Sequence, residues 1–379
     1  MLNRAKHALL VSSAAVVASV FVFVDTGAGN AAAAAMVPEA TTASDALEGT
    51  VKFIPPGPSF KVGEALSGKT IYAIVSGESA AFVQEFMKGM RDGAAVLGAN
   101  VEVQDSGYDP TKASELIDKG VALGAAVIIT QSVDSSAVAA SLKGAKTANI
   151  PVIEATSRDA GAPGADMEAL GVKAISSFCY TCAGKQMADF AISSTNGNVN
   201  ALLYNVPGIV VSERMVKGFT DELARLCPSC SVKVVDAPAA NWETNLASLT
   251  TSNLQTNPNI NILVPVFDAM VGMIEPAIAS SGLKGVSIVT YNATAPALGM
   301  LAAGRLVTGD VGGSPYWLGW ATIDQAARLA SGNKPVADVA IPHRLFDAKN
   351  VKQINLAAPQ QSWYGSFDLA GQYKGLWGK

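Results

Sequence analysis

Charge is scarce in this chain. Only 15% of its 379 residues are Asp, Glu, Lys or Arg, against about 25% in ordinary soluble domains. The two signs nearly balance, 27 basic against 31 acidic, for a net charge of −4. That argues against nucleic-acid binding, which needs a basic face. Histidine is rarer still, with only His7 and His343. The four cysteines are Cys179, Cys182, Cys227 and Cys230. So small a set yields no Ser/His/Asp spacing and no metal-ligand cluster. The expectation is a protein that is not an enzyme and carries no metal and no cofactor. Beyond residue 35 no uncharged apolar run is long enough to span a bilayer, which takes about 18 residues or more. Glycine and proline usage is near average, so collagen-like and disordered compositions are excluded.

What is present begins with an export signature. Arg4 and Lys6 precede an apolar run from Ala8 to Val24, and small residues follow from Ala31 to Ala35. This pattern predicts a cleaved signal peptide over 1–35 and a soluble periplasmic product, with an uncleaved membrane anchor as the alternative. Residues 36–67 carry Pro38, Pro55, Pro56 and Pro58 with no periodicity, and read as an irregular N-terminal tether. Gly63 through Gly68-Lys69-Thr70 matches the phosphate-binding loop spacing. That loop requires a strand before it and a helix after it. Here the lead-in is broken by proline and a strand follows, so the match is set aside.

The body alternates strand and helix. Strands are predicted at 70–76, 100–105, 126–130 and 151–155, with helices near 82–97, 111–122 and 134–147. The pattern restarts with strands at 199–204, 231–236, 261–265 and 286–290, and helices near 183–194, 212–226, 244–255 and 268–281. Runs such as Ala126–Thr130 and Ile260–Val264 are apolar on both faces, as buried parallel strands are. The fold class is therefore α/β, with two doubly wound parallel-sheet lobes facing a cleft. Ligands in such sheets bind off the carboxyl ends of the strands.

Local patterns at those strand ends make the chain recognisable. They include Ile74-Val75-Ser76 with Phe82 and Gly89, Leu97 to Asn100, Asp109-Pro110, Gln131 to Asp134, and Ala148 to Ile153. Ala183-Gly184-Lys185, Gly218-Phe219, Asn257 to Ile260, Phe267-Asp268, Tyr291-Asn292 and Leu306 to Thr308 continue the series. In order and spacing, over about 68–355, the chain resembles type I periplasmic binding proteins of the ribose-binding kind, the solute receptors of ABC sugar importers. The resemblance implies a three-segment hinge with crossovers near 178, 313 and 342. An N-terminal lobe would hold 68–178 plus 314–341, and a C-terminal lobe 179–313 plus 342–360. It also implies a monomer that captures a small-molecule solute and presents it to a membrane permease.

Carried over position by position, the resemblance implies a cleft lined by Ser79, Ala80, Phe82, Gln131, Thr156, Arg158, Tyr180, Arg214, Trp242, Phe267 and Asn292. Several positions that are polar in sugar-binding members are Tyr180, Phe267 and Gly313 here. A buried hydroxyl left without a partner costs about 1–3 kcal/mol. Two readings stand side by side: a neutral solute poorer in hydroxyls than a hexose, such as a polyol, deoxy-sugar or aromatic metabolite, or an ordinary monosaccharide.

The rivals are a chemosensory receptor of the same fold, a repressor's regulatory domain and an enzyme. The repressor reading needs a DNA-binding helix pair where the signal peptide stands. The cysteine pairs could suggest a four-thiolate zinc site or a redox motif. Cys179–Cys182 precedes a helix and Cys227–Cys230 follows one, so the two pairs lie at opposite edges of one sheet. In an oxidising compartment each pair is expected to close on itself as a disulfide. Residues 361–379 form an aromatic C-terminal extension, read as a strap on a lobe or as a partner contact.

Overall fold

The computed structural model describes residues 27–379, with side chains from Met36 onward. The expected signal peptide, 1–35, falls mostly outside the described residues. The first element is α1 (Gly27–Glu48). Five strands then form a parallel sheet: β1 (Thr70–Val75), β2 (Asn100–Asp105), β3 (Val127–Gln131), β4 (Val152–Ala155) and β5 (Val172–Ser176), in the order β2-β1-β3-β4-β5. Between them run α2 (Ala81–Val96), α3 (Pro110–Ala122), α4 (Ala139–Thr147) and α5 (Ala165–Leu170). Every residue of β3 and β4 is buried, which requires cover on both faces.

A second sheet repeats the plan. It holds β6 (Asn200–Asn205), β7 (Ser231–Asp236), β8 (Ile262–Pro265), β9 (Ser287–Tyr291), β10 (Val307–Gly312) and the antiparallel β11 (Arg344–Asp347). The strand order is β11-β10-β9-β8-β6-β7. Its helices are α6 (Tyr180–Ser194), α7 (Val210–Leu226), α8 (Trp242–Thr256), α9 (Val271–Ser281) and α10 (Ala295–Ala302). Two further helices, α11 (Pro315–Ala330) and α12 (Leu369–Trp377), return to the first lobe.

Two helix starts in the first lobe have a clear local cause. Asp109 caps α3 by accepting from Thr111 N at 2.8 Å, and Pro110 occupies the first turn. Ser314 does the same for α11, accepting from Trp317 N at 3.2 Å. The helix expected over 134–147 starts only at Ala139. Asp134 accepts from Ser136 N and Ser136 Oγ, and this local turn competes with the helix.

Between β1 and β11 the chain passes between lobes three times. Ser177–Cys179 leads from β5 into α6, and Gly313 leads from β10 into α11. The third passage enters β11. The first two passages touch: a Cβ on Gly313 would fall on the Phe178 ring. That contact explains why glycine stands at a position where the resemblance implied a glutamine.

In each lobe one helix pair approaches closely through glycine. A Cβ on Gly89 of α2 would strike Tyr316 O of α11, and one on Gly319 would strike Phe86 O. In the second lobe, Gly184 of α6 faces Met215 O and Gly218 of α7 faces Thr181 O in the same way.

The tether corrects the sequence reading. Residues 36–48 are helical and docked on the second lobe, with Ala40 and Ser44 buried. Small side chains let α1 lie close on α6 and β11. Glu39 pairs with Arg225 at 2.9 Å, and Lys349 pairs with Asp45 at 3.0 Å and with Glu48 at 2.5 Å. Pro38 sits inside this helix. The remainder of the tether runs beside the C-terminal extension: Val51 N donates to Tyr364 O, Phe60 N to Leu376 O and Val62 N to Trp377 O. The extension starts against β11, where Tyr364 packs on Phe346, and from Leu369 on is a strap on the first lobe. Trp377 and Tyr373 stack on Trp320 of α11, and Trp377 Nε1 donates to Asp324 at 2.8 Å.

Candidate functional site

The carboxyl ends of the strands in both sheets open toward one cleft, and backbone strain gathers there. Thr156 follows β4 with φ +53°, and Ser132 follows β3 with φ +55°. Asn292 and Ala293 follow β9 with φ +122° and +52°. Non-glycine residues adopt such angles rarely, and they cluster where a loop must present groups to a ligand. This signal cannot be read from residue identities.

In the first lobe, Ser79 and Ala80 are exposed on the loop leading into α2, and Phe82 is half-buried. Beneath them Gln131 is buried and fully engaged. Its Oε1 accepts from Ser76 N at 3.0 Å, and its Nε2 donates to Thr156 Oγ1 at 2.9 Å and Ser132 Oγ at 2.5 Å. Gln131 and Thr156, expected as ligand contacts, therefore tie the ends of β1, β3 and β4 together. Arg158 is likewise committed. It pairs with Glu154, whose buried carboxylate also accepts from Ser135 Oγ. An unpaired carboxylate at that depth would carry a heavy desolvation cost, and Arg158 offsets it.

In the second lobe, Trp242 opens α8. Its Nε1 donates to Ala237 O at 2.9 Å, and its ring stands 6.4 Å from that of Phe267, centroid to centroid. Both rings are half-buried. Arg214 is exposed near the start of α7. Asn292 is half-buried on its strained loop. Two carboxylates that the sequence reading did not assign hold that loop in shape. Asp268 accepts from Thr294 N at 2.8 Å and Thr294 Oγ1 at 2.6 Å, and Asp310 accepts from Ala293 N at 3.0 Å. Burial pushes Asp268 up to about 6. Asp310 is pushed well above the usual carboxylate range, by burial first and then by the charge of Asp268. Asp310 was hidden in a strand of glycines; Asp268 was visible only as a landmark.

The floor of the cleft is aromatic. Phe82 meets Phe178 edge-on at 6.3 Å, and Phe178 meets Tyr180 at 6.1 Å. Tyr180 meets Tyr291 at 5.7 Å, and Tyr291 meets His343 at 5.6 Å. Tyr180, expected as a ligand contact, is almost completely buried in this cluster. His343 sits at the third passage with Nδ1 2.7 Å from Gln186 Oε1 and Nε2 3.5 Å from Tyr291 Oη. An amide oxygen only accepts, so Nδ1 carries the proton.

Burial pushes His343 down to about 4, the nearby Asp159 opposing weakly. Between pH 6.5 and 4 the unfolded chain then binds the proton that the folded chain refuses, so stability falls as pH drops through that window. Asp268, with a raised value, acts in the opposite sense between about 6 and 4. His343→Gln is expected to lose roughly 2–3 kcal/mol less stability than the parent between pH 7 and 4.5. Equal losses in urea melts at the two pH values would show that His343 does not set this acid sensitivity.

The cysteines close locally, as expected: Cys179 is bonded to Cys182 and Cys227 to Cys230, with Cα separations of 5.1 and 5.3 Å. Among the described residues no cluster of metal-ligating side chains is found, and no helix is long and apolar enough to cross a membrane.

Two parallel-sheet lobes, three connecting segments and a cleft walled by strand-end loops define a hinged two-lobe binding protein of type I architecture. The chain belongs to the periplasmic binding protein domain family, whose model matches residues 71–334. It is 27% identical over 265 residues to the fructose import binding protein FruE of Bifidobacterium longum (strain NCC 2705), covering 66% of this chain and 78% of that protein. Solved structures share the fold. One is an ABC transporter periplasmic solute binding protein from Actinobacillus succinogenes 130z with bound D-allose, at TM-score 0.67 and 21% identity over 76% of this chain and all of that one. Another is an ABC transporter solute binding protein from Agrobacterium vitis with bound allitol, at TM-score 0.67 and 19% identity over 76% of this chain and 98% of that one.

Proposed function

We propose that this protein is the exported, extracytoplasmic receptor of an ABC importer and captures a small neutral sugar or polyol between its lobes. The observation that carries the reading is the half-buried Trp242–Phe267 ring pair in the second lobe, near the strained loop of Asn292; on this reading Ser79 and Phe82 of the first lobe face them across the cleft. Aromatic faces take the C–H surface of a sugar or polyol, and the few polar groups orient its hydroxyls. Of the two cations expected at the cleft, Arg158 is held by Glu154 and only the exposed Arg214 is left to meet an acid, so a neutral solute fits better. The sugar and sugar alcohol held by the D-allose and allitol proteins support the class. The lobes would move as 68–178 plus 314–341 against 179–313 plus 342–360. Closure would bury the solute and create the joined surface a membrane permease reads.

A thermal-shift panel of pentoses, hexoses, pentitols, hexitols and uronic acids tests this. A ligand at 100 times its dissociation constant adds about 2.7 kcal/mol. Neutral members are expected to raise the melting temperature by several degrees. Stabilisation confined to the uronic acids would overturn the proposal.

A further inference from the structure

We propose that the Cys179–Cys182 bond is a thiol–disulfide exchange site built into the hinge, whereas Cys227–Cys230 is a structural bond that resists reduction. Both pairs have the same spacing, but they occupy opposite helix ends. Cys179 is the N-cap of α6, and its Sγ accepts from Cys182 N at 3.2 Å. A thiolate released there keeps the Cys182 amide as a donor and faces the positive end of the helix, although the Thr181 amide is taken by Asp159. Cys227 caps the C-terminus of α7 and is buried. Its Sγ lies 3.3 Å from Gly197 O, and Cys230 Sγ lies 3.4 Å from the same oxygen. Cys230 Sγ does accept from Val199 N at 3.3 Å. Even so, a thiolate at this end meets a carbonyl oxygen and the negative end of a helix.

Access differs in the same direction. Cys179 and Cys182 are both partly exposed, whereas in the other pair only Cys230 is. Cys179 also lines a cavity of ≈ 280 Å³ shared with Ser177, Ala160, Ile341 and Pro342, so it can be approached from the hinge side. The exchange runs in two steps. A thiolate of a dithiol reductant attacks one sulfur, the S–S bond breaks and the other sulfur leaves as a thiolate. The reductant's second thiolate then displaces the first sulfur from the mixed disulfide. The protein gains two electrons and two protons, and the reductant becomes a disulfide.

The bond encloses Tyr180 and Thr181. Thr181 N and Oγ1 donate to Asp159 of the first lobe at 3.0 and 2.6 Å, and Tyr180 packs on Phe178 and Tyr291. Opening it frees the first passage between lobes. The consequence for solute capture rests on the function proposed above; the order of reduction does not.

The test is a dithiothreitol titration of the full oxidised chain, quenched in acid, alkylated and read by peptide mass spectrometry. Cys179 and Cys182 are expected to be half-reduced at a ratio of reduced to oxidised dithiothreitol at least tenfold lower than Cys227 and Cys230. Coincident or reversed order would overturn the assignment. Hydrogen exchange of amides 177–183 is then compared among the oxidised chain, the selectively reduced chain and a Cys179→Ser, Cys182→Ser double variant. Acceleration of tenfold or more in the reduced chain, with residues 227–231 unchanged, is the expected result, and the variant should match it. Unchanged exchange in the reduced chain would overturn the link to the hinge, whether or not the variant folds.

Discussion

Gly184→Ala is expected to cost about 3 kcal/mol of stability, near the upper end for overpacking a tight core. The added methyl would be driven into the Met215 carbonyl, and both atoms sit on helix backbones with no rotamer to yield. Gly218 faces Thr181 O across the same crossing, so α6 and α7 approach through a pair of missing side chains. To accept a Cβ the helices must separate, and the packing of Met187, Met215 and Phe219 opens with them. For a protein of this size the loss should lower the melting temperature by roughly 4 °C. A drop of less than 2 °C in calorimetry would mean that the helices slide apart at little cost.

Trp242→Ala is expected to weaken solute binding by about 2 kcal/mol, or about 30-fold in dissociation constant. The ring is held in place before any ligand arrives: its N–H is bonded to Ala237 O, and Phe267 braces one side. A pre-positioned aromatic platform gives contact area with little further ordering. Trp242→Phe should recover most of the loss, since the stacking face survives. Isothermal titration with the strongest ligand from the panel reads both. Unchanged affinity in Trp242→Ala would remove this residue from the site.

Much of the fold was legible because buried parallel strands leave a strong mark. Asn100–Asp105 and Ser231–Asp236 match their predicted spans, and the other predicted strands lie within a residue of theirs. The strands that were missed carry a weaker signal. β5 places the exposed Lys173 inside a short run, and β10 reads Val-Thr-Gly-Asp-Val-Gly. Its glycines are dictated by neighbours, Phe190 against Gly309 and the Ala293 methyl with the Asn292 carbonyl against Gly312, which no local pattern reveals. The docked helix after Met36 was hidden by Pro38 and by a lack of large apolar residues; it is held by contacts with chain far away in sequence.

The site was legible in part. Trp242, Phe267 and Asn292 each stand between the carboxyl end of a strand and the first turn of the next helix, six, two and one residues on, which is the position the sequence pattern marks. Which polar side chains remain free could not. Arg158 and Gln131 have the right chemistry for a ligand, but Glu154, four residues earlier, already engages Arg158, and Ser76 and Thr156 at the ends of neighbouring strands engage Gln131, a pairing that sequence spacing does not show. Tyr180 was placed at the right passage, yet the aromatic floor absorbs it. The shaping role of Asp268 and Asp310 emerged only with the conformation of the loop they hold.

The account stands or falls on whether the two lobes close over a solute. Small-angle scattering of the chain alone and with its best-stabilising sugar or polyol measures this directly. The expected result is a saturable decrease in radius of gyration at one ligand per chain, with the midpoint matching the calorimetric dissociation constant. A bound ligand that leaves the scattering curve unchanged would contradict it.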